Sequence, residues 1–305
     1  MNKISKLLQL KKDRNAIILA HYYQDPEIQD VADFMGDSLA LAQYAEKTTA
    51  DVILFCGVHF MSETAKILNP TKTVIIPDME AGCSLADSAS SQEFKTWVEA
   101  HPQHTLVSYI NCSAEVKAMS DIICTSSNAE KIINSIPQNK PILFAPDQFL
   151  GQYLIKKTKR DLILWQGFCQ VHIMFSLKEL TKLKIRYPQA KTIAHPECEE
   201  KILHHADFIG STTALIKYTQ STEFNQFIVV TEPGVIHQMK KSNPQKDYIP
   251  LPNNEGCACN ECPHMRLNTI NKMIHALETL TPEIILSDQL IHKAKKPLIK
   301  MLELS

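Results

Sequence analysis

One short segment occurs three times. Ala32-Asp33-Phe34-Met35-Gly36-Asp37-Ser38 is echoed by Ser120-Asp121-Ile122-Ile123-Cys124-Thr125-Ser126 and by Ala206-Asp207-Phe208-Ile209-Gly210-Ser211-Thr212. The aspartates stand at 33, 121 and 207, so the steps are 88 and 86 residues. Ser38, Ser126 and Thr212 keep those steps, as do His21, Tyr109 and His195, and Ile76, Leu164 and Pro250. A repeat of this kind builds similar units and sets equivalent residues around one axis. It divides the chain into repeats 1–86, 87–172 and 173–256, followed by a tail, 257–305.

Within the first repeat, Ala16–Ala20 and Val52–Cys56 are continuous apolar runs, suited to strands buried on both faces. Asp33–Gly36 and Val74–Ile76 read as two more strands, with helices between them, one opened by Ser38 as an N-cap. The second repeat offers Thr105–Ser108, Asp121–Cys124, Pro141–Ala145 and Leu162–Trp165 as strands, and the third Thr192–Ala194, Asp207–Gly210, Phe227–Thr231 and Tyr248–Leu251. Strands alternating with helices imply parallel sheets covered by helices. The expected fold is three similar α/β domains, each with a roughly four-stranded parallel sheet, arranged with pseudo-threefold symmetry around a central active site. The tail reads as helices, Asn268–Leu277 and about Ile284–Leu302, expected to pack on the first repeat.

Ligands of parallel sheets sit beyond the carboxyl ends of the strands. His21, Tyr109 and His195 stand there, with Tyr23, Asn111 and Glu197 two residues on. Side chains of these types, gathered at equivalent strand ends, suit acid–base chemistry. The hydroxyls Ser38, Ser126 and Thr212 each precede a helix, and Ser211 adds a further donor. Three helix N-termini converging on one axis favour an anionic ligand.

The cysteines follow the same logic. Cys83 steps by 86 to Cys169, and the next copy falls near Cys257, Cys259 and Cys262. Cys56, Cys112, Cys124 and Cys198 lie in or next to apolar runs and read as buried packing. Three converging cysteines suit a metal or cluster. Zinc would want a fourth ligand, so three thiolates favour a [4Fe–4S] cluster with one iron free of protein ligands. Cys262-Pro263 resembles the end of a cluster-binding run. Cys259 and Cys262 also form a C-x-x-C pair able to close as a disulfide. His172, three residues past Cys169, is placed to orient a ligand.

Composition narrows the classes. With 32 basic and 33 acidic residues the net charge is −1, which argues against nucleic-acid binding by bulk electrostatics. No apolar run approaches the roughly 20 residues of a membrane-spanning helix. Nine cysteines without a secretion signal point to a reducing cytoplasm. Only 8 glycines are present and no Gly-rich phosphate loop, which weakens a nucleotide-dependent reading.

His21-Tyr22-Tyr23-Gln24, Gly36-Asp37-Ser38, Glu80-Ala81-Gly82-Cys83, Tyr109-Ile110-Asn111, Cys124-Thr125-Ser126, Ala145-Pro146-Asp147-Gln148, His195-Pro196-Glu197-Cys198, Gly210-Ser211-Thr212 and Cys262-Pro263 together resemble the quinolinate synthase family. The likeness runs from about 16 to 275 and departs from the family at Phe149 and at the extra thiol Cys257. It implies condensation of iminoaspartate (iminosuccinate) with dihydroxyacetone phosphate to quinolinate, phosphate and water, for NAD biosynthesis. It implies a [4Fe–4S] cluster held by Cys83, Cys169 and Cys262, acting as a Lewis acid. Tyr23, Tyr109, Glu197 and His195 would be catalytic. His21, Ser38, Tyr109, Asn111, Ser126, His195, Glu197, Ser211 and Thr212 would bind substrate. The same resemblance implies a functional link to an L-aspartate oxidase or dehydrogenase that supplies iminoaspartate. The rival reading from the residues alone is an Fe–S hydro-lyase acting on a hydroxy acid.

Overall fold

A computed structural model of the chain describes residues 2–89, 92–253 and 260–305. Three four-stranded sheets carry the fold, all parallel in their pairings. The first holds β1 (Ala16–His21), β2 (Phe34–Gly36), β3 (Val52–Cys56) and β4 (Thr73–Ile75) in the order β2-β1-β3-β4. The second holds β5 (Thr105–Tyr109), β6 (Ile122–Cys124), β7 (Ile142–Ala145) and β8 (Leu162–Leu164), ordered β6-β5-β7-β8. The third holds β9 (Lys191–Ala194), β10 (Phe208–Ile209), β11 (Gln226–Val230) and β12 (Asp247–Pro250), ordered β10-β9-β11-β12. The three sheets share one topology, as the spacing requires.

The repeated aspartates have a local explanation. The second strand of each unit is two or three residues long and lies at the sheet edge, where few ladder bonds fix it. Asp33 Oδ2 accepts the amide of Ile18, Asp121 Oδ2 that of Leu106, and Asp207 Oδ2 that of Thr192, each at 2.8 Å. The carboxylate thus extends the ladder by one bond before the edge strand begins, satisfying a first-strand donor.

Central strands are sheathed on both faces. All five residues of β3 are buried, and one apolar cluster runs from the first sheet into the second through Leu19, Phe55, Val107 and Phe144. The third sheet has separate clusters on its two faces, around Ile228 and around Phe227. In the tail, the helix Ile270–Thr279 packs its Met273, Ile274 and Leu277 against Leu7, Ile18 and Leu54 of the first repeat. The helix Asp288–Glu303 departs from expectation. It lies mainly against the second repeat, on the helix Ala114–Met119 and β6, and also touches the helix His59–Leu68. Of its buried stripe, Ala294, Leu298 and Met301 complete the cluster shared by the first two sheets. Sequence periodicity shows that such a stripe exists but not which neighbour receives it.

Candidate active site

The carboxyl ends of all three sheets open on one cavity. Register explains the convergence: His21 pairs with Gly36 and Tyr109 with Cys124, at the last positions of their strands. His195 follows β9 directly, its amide donating to Val230 O at 3.1 Å. His21, Tyr23, Ser38, Tyr109, Asn111, Ser126, His195, Glu197, Thr212, Cys83, Cys169 and Cys262 all line the cavity.

Ser211 does not. It is the N-cap of the helix Thr212–Ser221, its hydroxyl accepting the Ala214 amide at 3.3 Å. The capping expectation shifts by one residue in the first repeat as well. Asp37, not Ser38, caps the helix Ser38–Lys47, accepting the Ala40 amide at 3.0 Å. In the second repeat Asn128 occupies the cap position, and its Oδ1 accepts the Thr125 amide at 2.7 Å. Asp, Asn and Ser are all good caps, so adjacent candidates compete and the strand end decides between them. The consequence is chemical. Ser38, Ser126 and Thr212 are released from capping, and their residues line the cavity.

The protonation pattern is set by burial and a few partners. Burial pushes His21 and His195 down to about 4, against the opposing pull of Asp37 and Glu197 on the first and mainly Glu197 on the second. Both are therefore neutral imidazoles near neutral pH. Burial alone would raise Glu197, but its pairing with His172 and His195, with hydrogen bonds from His172 and Tyr109, outweighs it and holds the carboxyl at about 2. His172 is the partner that matters, with Nδ1 2.8 Å from Glu197 Oε2 where His195 Nδ1 stands at 3.9 Å. Burial and the Glu197 charge push the Tyr109 phenol well above its ordinary value. Tyr23 rises for the same first reason, although Thr212 and Thr231 hydrogen-bond to it. Tyr109 and Tyr23 thus keep their protons while Glu197 is ionised.

The second repeat's helical turn carries a relay. His172 Nδ1 also lies 3.2 Å from Cys169 Sγ, and its Nε2 lies 3.0 Å from Thr231 Oγ1. Cys169, His172 and Glu197 offer ligand atoms all within 4.8 Å of one another. The three cysteine sulfurs do not form so tight a group among the described residues. A single tetrahedral zinc would draw its sulfurs to about 2.3 Å from one ion, whereas a four-iron cluster needs a wider triangle. Three thiols from three segments on one cavity are a donor set of the kind a cluster takes. Burial pushes Cys83 up to about 12 and Cys262 up to about 11, and Cys169 rises as well. Thiols so placed ionise readily only when a cation offsets the burial. Nearby amides of Ala86 and Leu85 at Cys83, of His172 at Cys169, and of Met265 and His264 at Cys262 pull the other way, favouring the thiolate. Cys56, Cys112, Cys124 and Cys198 are fully buried in the sheets or just beyond them. Cys257 and Cys259 lie outside the described residues.

Residues that sequence reasoning passed over also face this space. Asp37 lines it and accepts a hydrogen bond from Ser127 Oγ at 2.8 Å, tying the first repeat to the second. Glu232 and His264 line it too. Asn111 lines the cavity, and its Oδ1 is buried without a hydrogen-bond partner.

The family described as NadA, quinolinate synthetase A protein, matches residues 5–303 of the chain. The chain belongs to the quinolinate synthase family. A quinolinate synthase of Trichormus variabilis is 60% identical over 296 residues, covering 97% of this chain and 91% of the relative. One from Cyanophora paradoxa is 60% identical over 302 residues, covering 99% and 92%. One from Synechocystis is 57% identical over 302 residues, covering 99% and 95%. The chain is thus an enzyme of the quinolinate synthase type. No described helix is long and apolar enough to cross a membrane.

Proposed function

We propose that this chain condenses iminoaspartate with dihydroxyacetone phosphate to form quinolinate, phosphate and water, using a [4Fe–4S] cluster held by Cys83, Cys169 and Cys262. The observation that carries the reading is the meeting of Cys83 and Cys169, equivalent in the repeat, and of Cys262 from the tail with Tyr23, Tyr109, His195 and Glu197 in one cavity. When bound, such a cluster supplies an iron free of protein ligands, a Lewis acid for a departing hydroxyl. The protein's own part is positioning and proton transfer. Neutral His21 with the hydroxyls of Ser38, Ser126 and Thr212 provides donors for carboxylates and a phosphate. The unpartnered Asn111 Oδ1 can accept from a substrate hydroxyl or imine. Ionised Glu197 accepts a proton from the substrate, and Tyr109, directed at Glu197, donates one. Tyr23 holds Thr212 and Thr231 in line.

Domain limits near 86, 172 and 256, a cytoplasmic location, and supply of iminoaspartate by an L-aspartate oxidase or dehydrogenase belong to the same proposal. The test is anaerobic purification, iron and sulfide analysis, and addition of both substrates. Four irons per chain with quinolinate formed is the expected result. Substrate consumed equally well without dihydroxyacetone phosphate would favour a hydro-lyase instead.

A further inference from the structure

Two buried acids outside the proposed catalytic group occupy one position of the repeat. Register pairs Cys56 with Ala20, Ala145 with Ser108, and Val230 with Ala194, so these third-strand ends are equivalent. Two residues further on stand Val58, Asp147 and Glu232. Asp147 and Glu232 are both 0% exposed. Buried carboxyls are costly unless bonded; Glu232 bonds the segment that carries Cys262, and Asp147 stands at the start of a helix tied to the segment that carries Cys169.

Glu232 Oε1 accepts the Cys262 amide at 3.4 Å and Arg266 Nη2 at 2.6 Å, while Oε2 accepts the Gly234 amide at 2.7 Å. Arg266 Nη1 in turn donates to Tyr23 O at 2.7 Å. The Cys262 segment is thereby fastened to the third and first repeats at once. Asp147 Oδ1 accepts the Leu150 amide at 2.7 Å; its Oδ2 is buried without a hydrogen-bond partner, and the nearby Cys169 amide favours the carboxyl's charged form. Beside it, Gln148 donates to Gly167 O at 2.9 Å, two residues before Cys169. That approach leaves no room for a side chain, since a Cβ on Gly167 would meet Pro146 O at 2.4 Å. The first repeat has Val58 here and uses the main chain instead, His59 donating to Ala81 O at 2.6 Å, two residues before Cys83.

We propose that Asp147 and Glu232 are positioning residues for the cysteine centre, holding the Cys169 and Cys262 segments in ligating geometry before metal arrives. This rests on the cysteine centre proposed above. Groups that orient ligands in this way typically change metal retention about 10–100-fold when removed.

The test compares Glu232→Gln and Asp147→Asn, which keep an acceptor, with Glu232→Met, which keeps bulk alone, and Asp147→Ser, which keeps a helix cap but not the reach. Iron and sulfide per chain, the rate of iron loss to a ferrous chelator without oxygen, and the unfolding midpoint of the metal-free protein are measured for each. Glu232→Met and Asp147→Ser are expected to lose iron about tenfold faster or more, with Glu232→Gln and Asp147→Asn near the parent rate. Equal release from all variants overturns the positioning role while leaving the centre standing. Release that merely tracks the fall in unfolding midpoint, with no rescue by Gln or Asn, also overturns it. A parent protein that binds no iron overturns both readings together.

Discussion

The Tyr23 hydroxyl lies 2.9 Å from Thr212 Oγ1 and 2.8 Å from Thr231 Oγ1. One phenol of the first repeat thus closes on two hydroxyls of the third. Tyr23→Phe removes both bonds and leaves the ring. The expected cost in stability is about 1–2 kcal/mol, measured by urea unfolding, with a fall in kcat about 10²-fold or more if the phenol also handles a proton. An unchanged kcat would confine Tyr23 to holding the repeats together.

Glu197→Gln keeps the shape of the side chain and removes the charge that faces His172. Turnover should fall about 10²–10⁴-fold, with iron content unchanged. A normal rate at full iron loading would remove Glu197 from proton transfer.

The cysteines divide into two classes that iron analysis separates. Serine at Cys83, Cys169 or Cys262 should each abolish stable iron binding. Alanine at Cys56, Cys124 or Cys198 should leave iron content intact and cost only stability, because these thiols are buried packing. Iron lost equally from both classes would mean that folding, not ligation, is being read.

Asp37 and Ser38 are neighbours with separable roles. Asp37→Ala removes the cap on Ala40 and should cost about 1 kcal/mol of stability. Ser38→Ala should leave the unfolding midpoint nearly unchanged and raise KM. The reverse pattern would return Ser38 to the capping role first expected of it.

His21 and His195 are each held at about 4, below the ordinary 6.5, chiefly by burial. Between those values the unfolded chain takes up protons that the folded chain refuses. Stability is therefore complete above about pH 6.5 and falls as the pH drops toward 4, by roughly 3 kcal/mol per residue at most. Urea unfolding of the metal-free protein at pH 7.5 and pH 5 should show the loss, and His21→Asn should flatten it. An equal slope in parent and variant would assign the acid sensitivity to other groups.

Strand positions, the likeness of the three sheets and most of the cavity lining were legible because the repeat aligned equivalent residues by simple steps. What stayed hidden was set by neighbours in space. Asp147 and Glu232 escape the regular spacing because the third-strand ends step by 89 and then 85, from Cys56 to Ala145 to Val230. Ser211 and Asp37 took the caps because two good capping residues stood side by side and the sequence holds no rule for choosing between them. The last tail helix found the second repeat because its apolar stripe fits a groove that exists only once two sheets are side by side.

The sharing of one cavity by three sheets has a consequence for biosynthesis. A growing chain folds from its N-terminus as it emerges, so Cys83 appears first, Cys169 after two sheets, and Cys262 only once the third sheet is made. No nascent chain shorter than 262 residues owns all three thiols. The proposed cluster would be captured only by a chain whose three sheets have already met, and its incorporation would certify the finished assembly rather than guide it.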